Sequence, residues 1–303
     1  MRHPLGAVIL VAALACTADS DSALGPSLTS TSNAVVPVTL IGAGDAHAKC
    51  TSGNQAKATA AILARYPNAL VYALGDNAGN HGTAEEFGCY DLTWGKFKSR
   101  TIPVIGNHER NIDTSAKAHF DYFNGVGVDS GPAGHRARAY YVLSYGGWRI
   151  FVGNSQQHYS DQAAWIAQDL ATHPTKCAMA IWHRPLFTGS SKTRPMPRVE
   201  PMWKALYDGG ADVIIGAHSH QYERYAKTKW DGTRDSTRGI RHFVAGTGGG
   251  IKMPFSWPPH PASQVRISQH GVLKLTLWPG RYAWAFIDVT GKTLDSGEEA
   301  CHW

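Results

Sequence analysis

The chain has no run of lysines and arginines, no Cys-x-x-Cys pair and no apolar stretch long enough to span a bilayer as a helix. The first absence removes a nucleic-acid track. The formal net charge of +6 is scattered, and a scattered surplus serves solubility, with at most weak attraction for anionic substrates. The second absence removes a cysteine-held zinc site. The third concerns Ala7 to Ala15, an apolar run well short of the roughly 20 residues a spanning helix needs. The glycine-rich stretch Gly246-Thr247-Gly248-Gly249-Gly250 lacks a Gly-Lys-Ser/Thr ending and a following helix, so it reads as a tight turn at a sheet edge, not a phosphate loop.

Arg2 and His3 ahead of that apolar run form an export signal. Ala15-Cys16-Thr17 resembles a bacterial lipoprotein cleavage site with Cys16 as the acylated residue. Ala13 stands where such sites usually carry Leu, so ordinary cleavage and secretion stay open. Residues 17–35, rich in Ser, Thr, Ala and Asp without apolar periodicity, read as a flexible tether. The expected organisation is an export segment over 1–16, a linker over 17–35 and one domain over 36–303. The protein is then exported, periplasmic or extracellular, with membrane attachment through a lipid on Cys16 as one outcome. Loss of Arg2 with the signal takes the net charge from +6 to +5.

Five apolar runs each end in Asp, Asn or His. Val36 to Ile41 leads to Gly44-Asp45-Ala46-His47, and Ala69 to Leu74 leads to Gly75-Asp76-Asn77. Thr101 to Ile105 leads to Gly106-Asn107-His108-Glu109. Lys176 to Trp182 leads to His183-Arg184-Pro185, and Ala211 to Ile215 leads to Gly216-Ala217-His218-Ser219-His220. Continuous runs of this length suit strands buried on both faces. Helical patterns over Asn54–Tyr66, Ser160–Thr172 and Val199–Tyr207 fall between them. The alternation predicts an α/β domain whose functional residues gather beyond the carboxyl ends of its strands. Gly271 to Trp278 and Arg281 to Val289 alternate around Pro279-Gly280, an antiparallel hairpin that makes mixed sheets the expectation.

With Cys16 set aside, Cys50, Cys89, Cys177 and Cys301 remain. Four cysteines in an exported chain suggest two disulfides, with three connectivities. Cys50 and Cys89 each follow a strand-end motif and so share one rim. Cys177 opens a strand at the other rim, within reach of Cys301 in the tail. Cys50–Cys89 and Cys177–Cys301 are the expected pairs.

A lone Asp or Asn after a strand is ordinarily a turn former or helix cap, and a lone His a partly buried polar residue. Five successive strand ends rich in Asp and His are poorly explained that way. The ordered set Asp-x-His, Gly-Asp, Gly-Asn-His-Glu, a lone His and Gly-Ala-His-Ser-His resembles the calcineurin-like metallophosphoesterase superfamily, with one residue more than usual in the last motif. His220-Gln221-Tyr222-Glu223-Arg224 and Tyr90-Asp91-Leu92-Thr93-Trp94-Gly95-Lys96-Phe97 resemble secreted bacterial members of the purple acid phosphatase branch. No His-x-His-x-Asp-His run occurs, which weighs against a metallo-β-lactamase-like hydrolase.

The resemblance implies an α/β fold of two mixed β-sheets packed face to face and flanked by helices. It implies two metal ions, drawn from Fe, Zn and Mn, as suits hard oxygen donors with imidazoles. Asp45, His47, Asp76 and His220 would hold one ion, and Asp76, Asn107, His183 and His218 the other. It further implies hydrolysis of phosphate monoesters by metal-hydroxide attack, with His108 assisting the leaving group. Arg110 and Arg184 would grip phosphate or else pair with nearby carboxylates such as Glu109, and His81 would contact substrate. Tyr222, Glu223 and Arg224 would orient the ligand loop. Purple phosphatases carry a metal-binding Tyr three residues after the bridging Asp. Gly79 stands there in this chain, so His47 is expected to replace the phenolate. A phosphodiesterase or nuclease on the same metals and a non-catalytic surface binding protein are the competing readings. The partner expected is a small phosphorylated molecule; the oligomeric state is not legible.

Overall fold

The computed structural model describes residues 36–50 and 55–302; the export segment, Cys16 and the tether lie outside the described residues. Within them the chain forms β1 (Val38–Ala43), β2 (Leu70–Ala73), β3 (Thr101–Pro103), β4 (Ser130–Gly131), β5 (Gly134–His135), β6 (Tyr141–Tyr145), β7 (Trp148–Val152) and β8 (Cys177–Ile181). It continues through β9 (Val213–Gly216), β10 (Tyr222–Tyr225), β11 (Arg241–Ala245), β12 (Ser263–Ile267), β13 (Gly271–Trp278), β14 (Arg281–Asp288) and β15 (Thr293–Ala300). The helices are α1 (Ala56–Leu63), α2 (Ala84–Asp91), α3 (Lys117–Phe123), α4 (Tyr159–Thr172) and α5 (Glu200–Asp208). None of them is long and apolar enough to cross a membrane.

One sheet has the strand order β15-β14-β13-β1-β2-β3 and the other β12-β10-β11-β9-β8-β7-β6; β4 and β5 make a separate hairpin. Each large sheet is mixed. The parallel pairs are β1-β2-β3 and β11-β9-β8-β7, and antiparallel strands flank them. β8 shows why its run is apolar throughout. Cys177, Met179 and Ile181 join the core between the sheets with Leu40, Leu273 and Leu275. Ala178 and Ala180 pack on the opposite face with Trp203 and Leu206 of α5. Burial on both faces leaves no position for a polar residue. A second outer core places α1, α2 and α3 against the first sheet, which completes four layers.

Both expected disulfides are formed. Cys50–Cys89 ties the loop after β1 to α2. Cys177–Cys301 ties the first residue of β8 to the residue after β15, one sheet to the other. The polar strand β15 is held by its carboxylates. Asp295 accepts from Tyr222 Oη at 2.6 Å and Arg224 Nε at 2.8 Å. Glu299 accepts from Tyr282 Oη at 2.6 Å and pairs with Arg241.

Candidate metal centre

The five ligand-bearing loops all leave the carboxyl ends of parallel strands, so their side chains meet at one rim. Four of these residues have left-handed backbones without being glycine: Asp45 (φ 56°), His47 (φ 43°), Asp76 (φ 50°) and His218 (φ 65°). That conformation is costly for residues with a Cβ, and it turns each side chain sharply out of its strand direction.

The donor atoms converge on two places. His183 Nε2 lies 3.1 Å from Asn107 Oδ1, 3.2 Å from His218 Nδ1 and 3.2 Å from Asp76 Oδ2. Asp45 Oδ1 lies 3.4 Å from His220 Nε2 and 3.8 Å from His47 Nε2, which is itself 3.9 Å from Asp76 Oδ2. Metal bonds of about 2.0–2.2 Å in a tetrahedron set neighbouring donors roughly 3.3–3.6 Å apart, a spacing these contacts bracket. Asp45 Oδ1 is buried and completes no hydrogen bond among the described residues. The residues present therefore fit two cations, with Asp76 positioned between them.

Hydrogen bonding behind the donors aims them. His47, His183 and His220 turn Nδ1 to the carbonyls of Gly79 (2.8 Å), Leu74 (2.7 Å) and Ile251 (2.6 Å). A proton on Nδ1 frees the Nε2 lone pair for a metal. Each aspartate spends one oxygen on the backbone and keeps the other. Asp45 Oδ2 accepts the His218 N–H at 2.7 Å, and Asp76 Oδ1 accepts the His108 N–H at 2.8 Å. Burial pushes the Asp76 carboxyl up, but His183, His108 and His47 outweigh it and hold it well below the usual carboxylate range. Burial lowers His183, yet Asp76 and Asp45 carry it to about 9. His218, buried beside His183, falls to about 3. A cation held by this cluster would stand in place of the His183 proton.

His108 stands at the edge of the cluster, with Nε2 3.6 Å from Asp76 Oδ2 and the side chain 27% exposed. Its Nδ1 meets the Asn80 carbonyl at 2.5 Å. That carbonyl is set by the start of α2. Thr83 caps the helix, and Glu86 accepts the N–H groups of Asn80, His81 and Thr83. The His81 side chain is half-exposed, 3.5 Å from Glu86, and none of its described contacts reaches a ligand. Arg110 forms no side-chain hydrogen bond or ion pair among the described residues. The alternative pairing with Glu109 is not formed, because Glu109 is buried among backbone N–H groups. Arg184 has a buried Nε without a hydrogen-bond partner, and its charge reaches His218.

Tyr222 and Arg224 differ from expectation, whereas Glu223 reaches the ligand turn indirectly, through Gly189 beside Thr188. All three lie in β10, where alternation separates them. Tyr222 and Arg224 point to Asp295 across the sheets. Glu223 faces the other way, accepting the Gly189 N–H at 2.7 Å and the Tyr225 hydroxyl at 2.7 Å. None of the three bonds to a ligand. The ligand turn is held instead by Ser219, whose Oγ lies 2.7 Å from Thr188 Oγ1 and 2.6 Å from Thr193 Oγ1. Two further supports escaped sequence reasoning. Glu109 accepts the N–H groups of Asp76, Asn77 and Gly106 at 2.9, 2.7 and 2.7 Å. Ser155, after β7, accepts the Arg184 N–H at 2.8 Å. The final Glu of Gly-Asn-His-Glu was the one available signal for the first.

A family model described as calcineurin-like phosphoesterase matches residues 38–222, a span that holds every ligand loop from Asp45 to His220. Purple acid phosphatase 15 of Arabidopsis thaliana is 28% identical over 147 residues, which cover 43% of this chain and 27% of that protein. Acid phosphatase type 7 of Homo sapiens is 27% identical over 213 residues, covering 58% of this chain and 47% of that one. The chain thus spans about a quarter to a half of the length of these curated relatives. The purple acid phosphatase from yellow lupin (Lupinus luteus) seeds superposes with a TM-score of 0.70 at 18% identity, over 88% of this chain and 54% of that chain. At that identity the likeness is one of fold, and it agrees with the two mixed sheets and their flanking helices. On the family match, which takes in more than half of its length, this chain belongs to the calcineurin-like phosphoesterase family.

Proposed function

We propose that this chain is a binuclear metal-dependent phosphatase that hydrolyses phosphate monoesters. The observation that carries the reading is the position of Asp76 Oδ2, 3.2 Å from His183 Nε2 and 3.9 Å from His47 Nε2, where one carboxylate serves both donor sets. Two bound ions, drawn from Fe, Zn and Mn, would lower the pKa of a shared water and polarise the phosphoryl oxygens.

The chain's own residues supply the rest. His108, partly exposed and fixed through Nδ1, faces the rim where a leaving group departs and donates its Nε2 proton to the alkoxide. Arg184, without a carboxylate partner, and Arg110, whose charge also acts on Asp113, offer guanidinium forks to the ester oxygens. A monoester dianion carries more charge than a diester, which favours monoesters at a site beside the Arg184 charge. Two disulfides support export to an oxidising compartment. Attachment through Cys16 remains part of the proposal on its cleavage-site motif alone.

The test compares nitrophenol release from its mono- and bis-phosphate esters by metal-replete protein, with Asp76→Ala as control. Faster monoester turnover is expected. Preference for the bis-ester would make the protein a phosphodiesterase. Hydrolysis of neither ester above the control would leave a non-catalytic binding protein.

A further inference from the structure

The parallel strands carry the metal ligands at their carboxyl ends. At their amino ends, on the opposite rim, a cleft of about 860 Å³ opens between the end of α5, the start of β11 and the tail after β15. Lys227, Arg234, Arg238, Arg241 and His302 line it together with Glu299. The carboxylates there are all committed. Glu299 pairs with Arg241 and Asp208 with Lys204. Asp235 accepts the Tyr207 hydroxyl and the N–H groups of Thr237 and Arg238. Asp212, below the cleft, accepts the N–H groups of Ala178 and His302.

The cations are not matched. Among the described residues Lys227 forms no side-chain hydrogen bond or ion pair. Arg238 has only the face of Tyr207, 5.3 Å away, and Arg234 only the Pro261 carbonyl. His302 lines the cleft with a side chain 8% exposed and Nδ1 3.2 Å from Asp212 Oδ1. A concave wall in which cations outnumber carboxylates concentrates anions, and guanidinium forks suit tetrahedral oxyanions better than single carboxylates.

We propose that this cleft is a second anion site, distinct from the metal centre, that takes a phosphate-type dianion between Lys227, Arg238 and the His302 ring. Arg234 and Arg241 border it. The site depends on no bound metal and on no turnover.

The test follows the ring signals of His302 by NMR in the full-length protein during titration with inorganic phosphate. A His302→Gln sample assigns those signals. A saturable shift is expected in the wild type. In a Lys227→Ala/Arg238→Ala double variant it should need about tenfold more phosphate or beyond, a loss of ~1.4 kcal/mol. Thermal unfolding confirms that the variant is folded, and its hydrolysis of nitrophenyl phosphate should be unchanged. Absence of a saturable His302 shift in the wild type, or equal affinity in the folded double variant, overturns the proposal.

Discussion

Glu109 sits directly behind Asp76 and takes its backbone N–H at 2.9 Å. The same oxygen accepts from Gly106 at 2.7 Å, and its twin accepts from Asn77 at 2.7 Å. One buried carboxylate thus joins the loops after β2 and β3. Gln has the same shape but only one acceptor oxygen, so it would set an N–H₂ against one of three N–H groups. Glu109→Gln should therefore lower metal affinity by about 10–100-fold, as loss of an outer support does at other metal sites. Metal titration of the folded variant checks this; unchanged affinity would remove Glu109 from the site's support.

Asn107 and His108 are neighbours with different surroundings. Asn107 Oδ1 is 3.1 Å from His183 Nε2, inside one donor set, whereas His108 is at the edge. Asn107→Ala should reduce the metal content found by elemental analysis. His108→Ala should keep both ions and lose about 10²–10⁴-fold in kcat. Equal metal loss in the two variants would make His108 a ligand, as its 3.6 Å approach to Asp76 allows.

Arg110→Ala and Arg184→Ala should raise KM for a monoester with metal content unchanged, each by roughly tenfold if one charge-assisted contact is lost. Steady-state kinetics beside elemental analysis separates this from damage to the centre.

Two buried histidines should each withdraw stability in mild acid, against an opposite contribution from Glu109 and Asp212, which burial raises to about 7. Burial lowers His119 to about 3, aided by Arg136, and lowers His242 to about 3, aided by His260. Both stay neutral in the folded chain while the unfolded chain binds protons below about pH 6.5. Their contribution is complete above that pH and falls as pH drops towards 3. The cost at pH 5 is about 2 kcal/mol for each group. Relative to the wild type, a His242→Phe variant that stays folded should be more stable at pH 5 than at pH 7.5 by about 2 kcal/mol. Thermal unfolding between pH 7.5 and 5 measures it.

Iron-loaded protein should lack an intense visible band. His47 Nδ1 is engaged with the Gly79 carbonyl, and Gly79 has φ 49° with the Glu86 carboxylate 2.0 Å from where a Cβ would lie. A tyrosine cannot occupy that position without displacing the start of α2. Absorption spectra of the iron-loaded wild type decide the matter; a strong band abolished by mutating a tyrosine would refute it.

Five strand ends were legible because their strands are buried on both faces and stop abruptly at polar residues. The hairpin of β13 and β14 was legible through alternation. β15 was not, since Thr293–Ala300 is stabilised by carboxylate contacts from Asp295 and Glu299 that leave no apolar period. The supports from Glu109, Ser219 and Ser155 run largely through backbone N–H groups and small hydroxyls, which have no sequence spacing. Tyr222 and Arg224 are close to His220 in sequence but lie in β10, whose inner face turns them to Asp295. One residue along a strand reverses the face.

The two disulfides are sequential, neither nested nor crossed: 39 residues separate Cys50 from Cys89, and 124 separate Cys177 from Cys301. A chain oxidised in the order its cysteines emerge during synthesis reaches this pattern without thiol exchange, provided Cys16 takes no part. A Cys16 thiol still present would meet Cys50 first and put every later pair out of step. Under the proposed acylation or cleavage at Cys16, the order of synthesis would also be the order of correct pairing.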